Sequence, residues 1–177
     1  MQATARQSSG QDQQPGPSLI AFNGSPAAER ALRDAARLLA VRHALVLVVW
    51  KAGLGFELLE IPSVAGVPPA PIDIRTALEI DETVYEGAQR LARKGAGIAR
   101  EAGLEAEGLV VAEEPEIPVS QTIVRIASER GCSAVVVAES AHGRLGEVVL
   151  GRISRDVIRY APCPVVVVRH SQQADAT

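Results

Sequence analysis

The chain has 177 residues, 47% of them hydrophobic and 22% charged, which suffices for one full core and falls short of two ordinary domains. A net charge of -3 without any basic run excludes the electrostatic footprint of a nucleic-acid binder or an anionic-membrane binder. No apolar stretch approaches the roughly 20 residues that span a bilayer, and the amino terminus lacks the charged-then-apolar order of a secretory leader, so the expected location is the cytoplasm. Aromatics make up 3%, so Val, Leu, Ile and Ala must build the core.

Residues 1–17 are Gln, Ser, Gly and Pro with almost no apolar content, and read as a disordered tail. Ser18 to Phe22 reads as a central strand, because helix-start chemistry follows at once. Ser25 is a good N-cap with Pro26 in the first helical position, and the helix it opens carries Ala28, Leu32, Ala35, Ala36 and Leu39 on one face. Ala44 to Trp50 is continuously apolar, as a strand covered on both faces should be. Gly53 to Pro71, rich in Gly and Pro, reads as a long surface excursion. From Asp73 to Glu101, Leu78 or Ile80, Val84, Ala88, Leu91, Gly95, Ile98 and Ala102 recur at helical spacing. That helix ends at Gly103 and is weakened by Gly95 and Gly97.

Ala106 to Ala112 is a third strand, with Gly108 as a bulge candidate. Val119 to Arg130 is a helix facing Ile123, Ile126 and Ala127 inward, stopped by Gly131. A strand from Ala134 to Ala138, a helix from Gly151 to Tyr160 and a strand from Pro164 to Arg169 complete the chain before a short disordered tail, residues 171–177. Apolar strands alternating with helices predict an α/β fold, a doubly wound parallel sheet in three layers with helices on both faces. The P-loop pattern G-x-x-x-x-G-K-[ST] and a G-x-G-x-x-G after the first strand are both absent. Ser140 and Ser154 have no evident base, and His142 has no second His or Cys at ligand spacing, so neither a catalytic residue nor a metal site is expected. Cys132 and Cys163 lack C-x-x-C or metal spacing and read as reduced, part-buried thiols.

Two segments carry a resemblance. Leu19-Ile-Ala-Phe-Asn-Gly-Ser-Pro26 looks like the opening strand and V-D-G-S turn of the universal stress protein family. Val148-Val-Leu-Gly151, Val157-Ile158 and Tyr160-Ala-Pro-Cys-Pro-Val-Val-Val-Val168 resemble its closing segment. The family signature, G-x-x-G, nine residues, then G-S or G-T, falls on Ala138, Ala141, Gly151 and Arg152, so that one of its four positions is kept. The resemblance covers residues 18–170. It implies a five-stranded parallel sheet in the order 3-2-1-4-5, whose first and fourth strands form a crevice at their carboxyl ends.

In nucleotide-binding members the first-loop Asp serves the ribose, a residue near the end of the second strand meets adenine, and the glycine loop cradles phosphates. Those roles would fall on Asn23 with Gly24 and Ser25, on Val49 or Trp50, and on Ala138, Ala141, Gly151 and Arg152. Glycine suits a cradle because phosphate oxygens must approach backbone N–H groups closely, and each Ala adds one methyl. Asn23 loses a charge but keeps an amide oxygen that accepts a hydrogen bond. Arg152 has two placements: a bidentate phosphate clamp, or a plug folded into the crevice against Glu139 or Glu147. The resemblance therefore implies a non-catalytic stress-response module acting by binding and dimerisation, with a degenerate nucleotide site. The alternative is a switch that binds ATP or AMP with Mg²⁺ and possesses slow ATP hydrolysis. It also implies a homodimer paired through Val165, Val166, Val167 and Val168.

Overall fold

The computed structural model describes residues 15–40, 42–59, 73–139 and 151–169. In chain order these form β1 (Ser18–Ala21), α1 (Pro26–Leu38), β2 (His43–Lys51), α2 (Leu54–Leu59), α3 (Ile74–Glu101), β3 (Glu105–Glu113), α4 (Val119–Glu129), β4 (Ala134–Ala138), α5 (Arg152–Tyr160) and β5 (Val165–Val168). The strands are parallel and lie in the order β3-β2-β1-β4-β5, as the resemblance implied. Central strands are buried on both faces, which explains their unbroken Val, Leu and Ile runs.

Each face of the sheet has its own core. Ile20, Val46, Val48 and Val136 meet α1 and α3, while Leu19, Leu47, Val135 and Val137 meet α4 and α5. Leu19, Ile20, Leu32, Leu47 and Ile123 are fully buried, each stabilising the fold by roughly 1.5–3 kcal/mol. Ser25 caps α1 as expected, its Oγ accepting from the Ala28 N–H at 3.2 Å, a contact worth ~1 kcal/mol. Glu29 in the first turn of α1 accepts from Lys94 of α3 at 2.7 Å, and that bond holds its carboxyl below the usual range.

Four expectations need correction. The excursion after β2 is not irregular throughout, because Leu54–Leu59 form α2. Asp81 of α3 accepts from the Gly53 and Gly55 N–H groups, both at 2.9 Å, and so satisfies the amides that begin that helix. Residues 60–72 lie outside the described residues. Gly108 is no bulge, since β2 and β3 pair without a break from His43↔Glu105 to Lys51↔Glu113. A Cβ at 108 would come within 2.9 Å of the Ala92 carbonyl oxygen, so this glycine lets α3 lie directly on β3. Gly95 and Gly97 do not interrupt α3, which runs unbroken to Glu101, and Gly95 has a packing role there. Its missing Cβ makes room for Phe22 and Val46 beneath the helix. Leu78 is exposed, Ile80 is half-buried, and Ala77 is the buried residue of that turn. Helical spacing identified the right face one residue off, because α3 buries its small residues.

The expected tail also begins earlier in order than its composition suggests. The Pro17 carbonyl accepts from the Ser133 N–H at 3.0 Å, which ties the chain before β1 to the turn before β4. Residues 1–14 and 170–177 lie outside the described residues. At the outer edge of the sheet, the Arg100 guanidinium donates to the Ala106 carbonyl of β3 at 3.1 Å.

Both cysteines are free thiols. Burial pushes the Cys132 thiol from 9.0 up to about 11, and the nearby Cys163 sulfur adds to the rise. Burial likewise raises Cys163. The folded chain therefore holds this proton more tightly than the unfolded one. The associated stability is present below pH 9.0 and is lost as the pH climbs towards about 11. Because the thiolate is the nucleophile, Cys132 in the native protein should react with iodoacetamide at neutral pH about a hundredfold slower than in the unfolded chain. Equal labelling rates, read by mass spectrometry, would contradict this placement.

Candidate functional site

Where the winding reverses between β1 and β4, their carboxyl ends diverge and leave a cleft of about 380 Å³. Volumes of this size suit a small-molecule ligand. Leu47, Val49 and Val137 form its sheet side, Val119 and Ile123 of α4 form one wall, and the β1–α1 turn forms the other. The first turn of α5 closes the end through Gly151, Arg152, Ile153 and Ser154. Gly151 caps α5 with no side-chain hydrogen bond, so backbone N–H groups and the positive end of the helix dipole face the cleft.

Of the residues singled out from sequence, Asn23, Ser25, Val49, Ala138, Gly151 and Arg152 all line this cleft. Gly24 does not. It holds the β1–α1 turn at φ +78°, and a Cβ there would press on Leu91. Ala141 lies outside the described residues. Strand alternation decides between Val49 and Trp50: Val49 faces the cleft, whereas Trp50 faces α3, its ring 5.2 Å from that of Tyr85. Asn23 Oδ1 accepts from the Ser25 N–H at 3.1 Å. One lone pair of that oxygen holds the turn, which leaves the second lone pair and the amide donors to offer a ligand.

Arg152 is exposed on the cleft rim, and among the described residues no ion pair joins it to Glu139. Glu147, the other partner considered for a plug, lies outside the described residues. Sequence reasoning did not assign cleft positions to Leu47, Val119, Ile123 and Ser154, although the period-2 step from Val49 to Leu47 and the i,i+4 pair Val119 and Ile123 carry them. Ser154 is buried, its Oγ 3.5 Å from the Ala138 carbonyl oxygen.

The sequence profile of the universal stress protein family matches residues 60–169. The chain belongs to the universal stress protein family. This universal stress protein is 30% identical over 154 residues to universal stress protein YxiE of Bacillus subtilis, covering 85% of this chain and 97% of that one. Its fold is similar to a universal stress protein from Archaeoglobus fulgidus solved in complex with dAMP. The TM-score is 0.53 at 23% identity, with 86% and 97% of the two chains covered. It is also similar to a universal stress protein family protein from Arabidopsis thaliana with AMP bound, with a TM-score of 0.54 at 17% identity and 90% and 95% of the chains covered. Among the described residues of this universal stress protein, no group of His, Cys, Asp and Glu is arranged to hold a metal ion, and no helix is long and apolar enough to cross a membrane.

Proposed function

We propose that this universal stress protein works in the stress response as a non-catalytic binding module whose β1/β4 cleft takes an adenine nucleotide, and that it acts as a homodimer. The observation that carries the nucleotide reading is an open cleft: about 380 Å³ remains between Asn23, Val49, Ala138 and Gly151, with Arg152 out on its rim. That position favours the clamp over the plug. The half-buried apolar side chains of Val49 and Val119 suit a planar base, and the α5 amino terminus with the Arg152 guanidinium suits a phosphate. Relatives of the same fold hold dAMP and AMP.

Calorimetric titration with AMP, after mass spectrometry has excluded a co-purified ligand, tests this reading. Micromolar binding is expected, and silence up to millimolar AMP would overturn it. Arg152→Ser should weaken AMP binding about tenfold, the loss of one charge-assisted hydrogen bond at a partly solvated site. Unchanged or tighter binding by the variant would return Arg152 to the role of a plug.

The homodimer reading rests on β5. Among the described residues it is the last strand of the sheet and pairs only with β4, Val165, Val166 and Val167 are half-buried, and Ile158 and Tyr160 of the preceding helix are exposed.

A further inference from the structure

Of the five basic residues on α3, three are paired: Arg75 with Glu79, Arg90 with Glu86 and Lys94 with Glu29. Among the described residues no carboxylate pairs with Arg93 or Arg100. These two border a groove of about 410 Å³ between α3 and the outer strand β3. Ala92 and Gly108 form its floor, so no long side chain fills it from below, and Tyr85 and Gln89 continue the same rim. The Tyr85 ring is held against Trp50 at 5.2 Å, and the Arg100 guanidinium by its bond to the Ala106 carbonyl, which uses one of its N–H groups.

Carboxylates are kept off this side. Ala106 and Val110 of β3 pack towards α3 whereas Leu109 and Val111 pack towards α4, so strand alternation turns Glu105 and Glu107 to the opposite face. Glu101, next to Arg100, borders a separate pocket with Arg33 and Arg37 of α1. Outside the described residues, 1–14 hold Arg6 with Asp12 and 140–150 hold Arg144 with Glu147, which cancel in each case, and 60–72 hold Glu60 as their one charge. Residues 170–177 follow β5, at the opposite border of the sheet. The two guanidiniums therefore leave the groove positive.

We propose that this groove binds a small molecule carrying a chain of two or more phosphoryl groups, at a site separate from the β1/β4 cleft and independent of the nucleotide reading. Arg93 and Arg100 stand two helical turns apart, about 10 Å along the axis. A phosphoryl chain bridges that span better than a lone phosphate does. Each guanidinium presents a planar fork that takes two phosphate oxygens at once, and Gln89, one turn before Arg93, adds amide donors.

Calorimetric titration of the full chain with inorganic tripolyphosphate, at about 0.15 M salt so that diffuse charge attraction is screened, tests the assignment. The wild type should bind at submillimolar concentration, and Arg93→Gln and Arg100→Gln should each weaken binding about tenfold, the loss of one charge-assisted contact at a solvated site. Lys94→Gln removes the same charge from the neighbouring position, where it pairs with Glu29 of α1, and should change the affinity less than about twofold. Citrate, a carboxylate polyanion, should bind at least about tenfold more weakly than tripolyphosphate. No binding of tripolyphosphate up to millimolar concentration would overturn the site. Arg93→Gln binding no more weakly than Lys94→Gln would overturn it as well, since the heat would then come from the β1/β4 cleft or from net charge. Citrate binding as tightly as tripolyphosphate would overturn the phosphoryl class. If circular dichroism shows Arg100→Gln unfolded, Arg93→Gln decides alone.

Discussion

Gly95→Val is expected to destabilise the folded chain by about 3 kcal/mol, the upper range for forcing extra carbons into a filled core. A Cβ on Gly95 would stand 2.7 Å from Phe22 Cδ1 and 2.8 Å from Val46 Cγ1, closer than real Cβ atoms come to their neighbours. Phe22 is held in the core and Val46 lies on a central strand, so neither can yield without moving β1, β2 or α3. In a chain of this size such a loss lowers Tm by roughly 6–12 °C. Gly97, two residues on, is the control. A Cβ there meets nothing within 4 Å, so Gly97→Ala should raise stability by up to about 1 kcal/mol through helix propensity alone. Thermal melts followed by circular dichroism would separate the two. Equal and small shifts would mean that α3 does not rest on the sheet as described.

Val167→Lys is expected to convert a dimer into a folded monomer. A lysine on an edge strand is a device by which sheets avoid pairing with another chain, because the charge would have to be buried against the incoming strand. Within one copy Val167 is only half-buried, and the long lysine stem can lie over α5 while its ammonium reaches water. Light scattering behind size exclusion, at micromolar protein, should give twice the chain mass for the wild type and the single mass for Val167→Lys. A monomeric wild type would end the dimer reading. A variant that stays dimeric with unchanged circular dichroism would move the interface away from β5.

Much of the fold was legible because its signals are local. Ser25 before Pro26 starts a helix by capping geometry, and the runs at Ala44 to Trp50 and Ala134 to Ala138 read as strands covered on both faces. What escaped depends on partners far along the chain. The glycines at 95 and 108 read as a weak point and a bulge, yet each marks a place where two elements approach too closely for a side chain. The six-residue α2 hid inside a Gly- and Pro-rich stretch because its first amides are satisfied by Asp81, 26 and 28 residues away.

The cleft divides in the same way. Asn23, Val49, Ala138, Gly151 and Arg152 were found through motif positions on neighbouring strand ends, whereas Gly24 belongs to the turn. Glu139 was read only as a possible partner for Arg152. Its burial and its unsatisfied oxygen arise when β4, β5 and the cleft come together, with its own N–H donating to the Val168 carbonyl at 2.9 Å.

The Arg100 contact at the far side of the sheet bears on how many copies can join. There β3 presents exposed Glu105 and Glu107, and the Arg100 guanidinium already occupies one of its carbonyls. At the other side β5 is four valines with no charge among them. Among the described residues the sheet thus has one receptive border, which can pair edge to edge with a copy, and one guarded border. The homodimer proposed above would, for this reason, close at two copies instead of running on into a fibre.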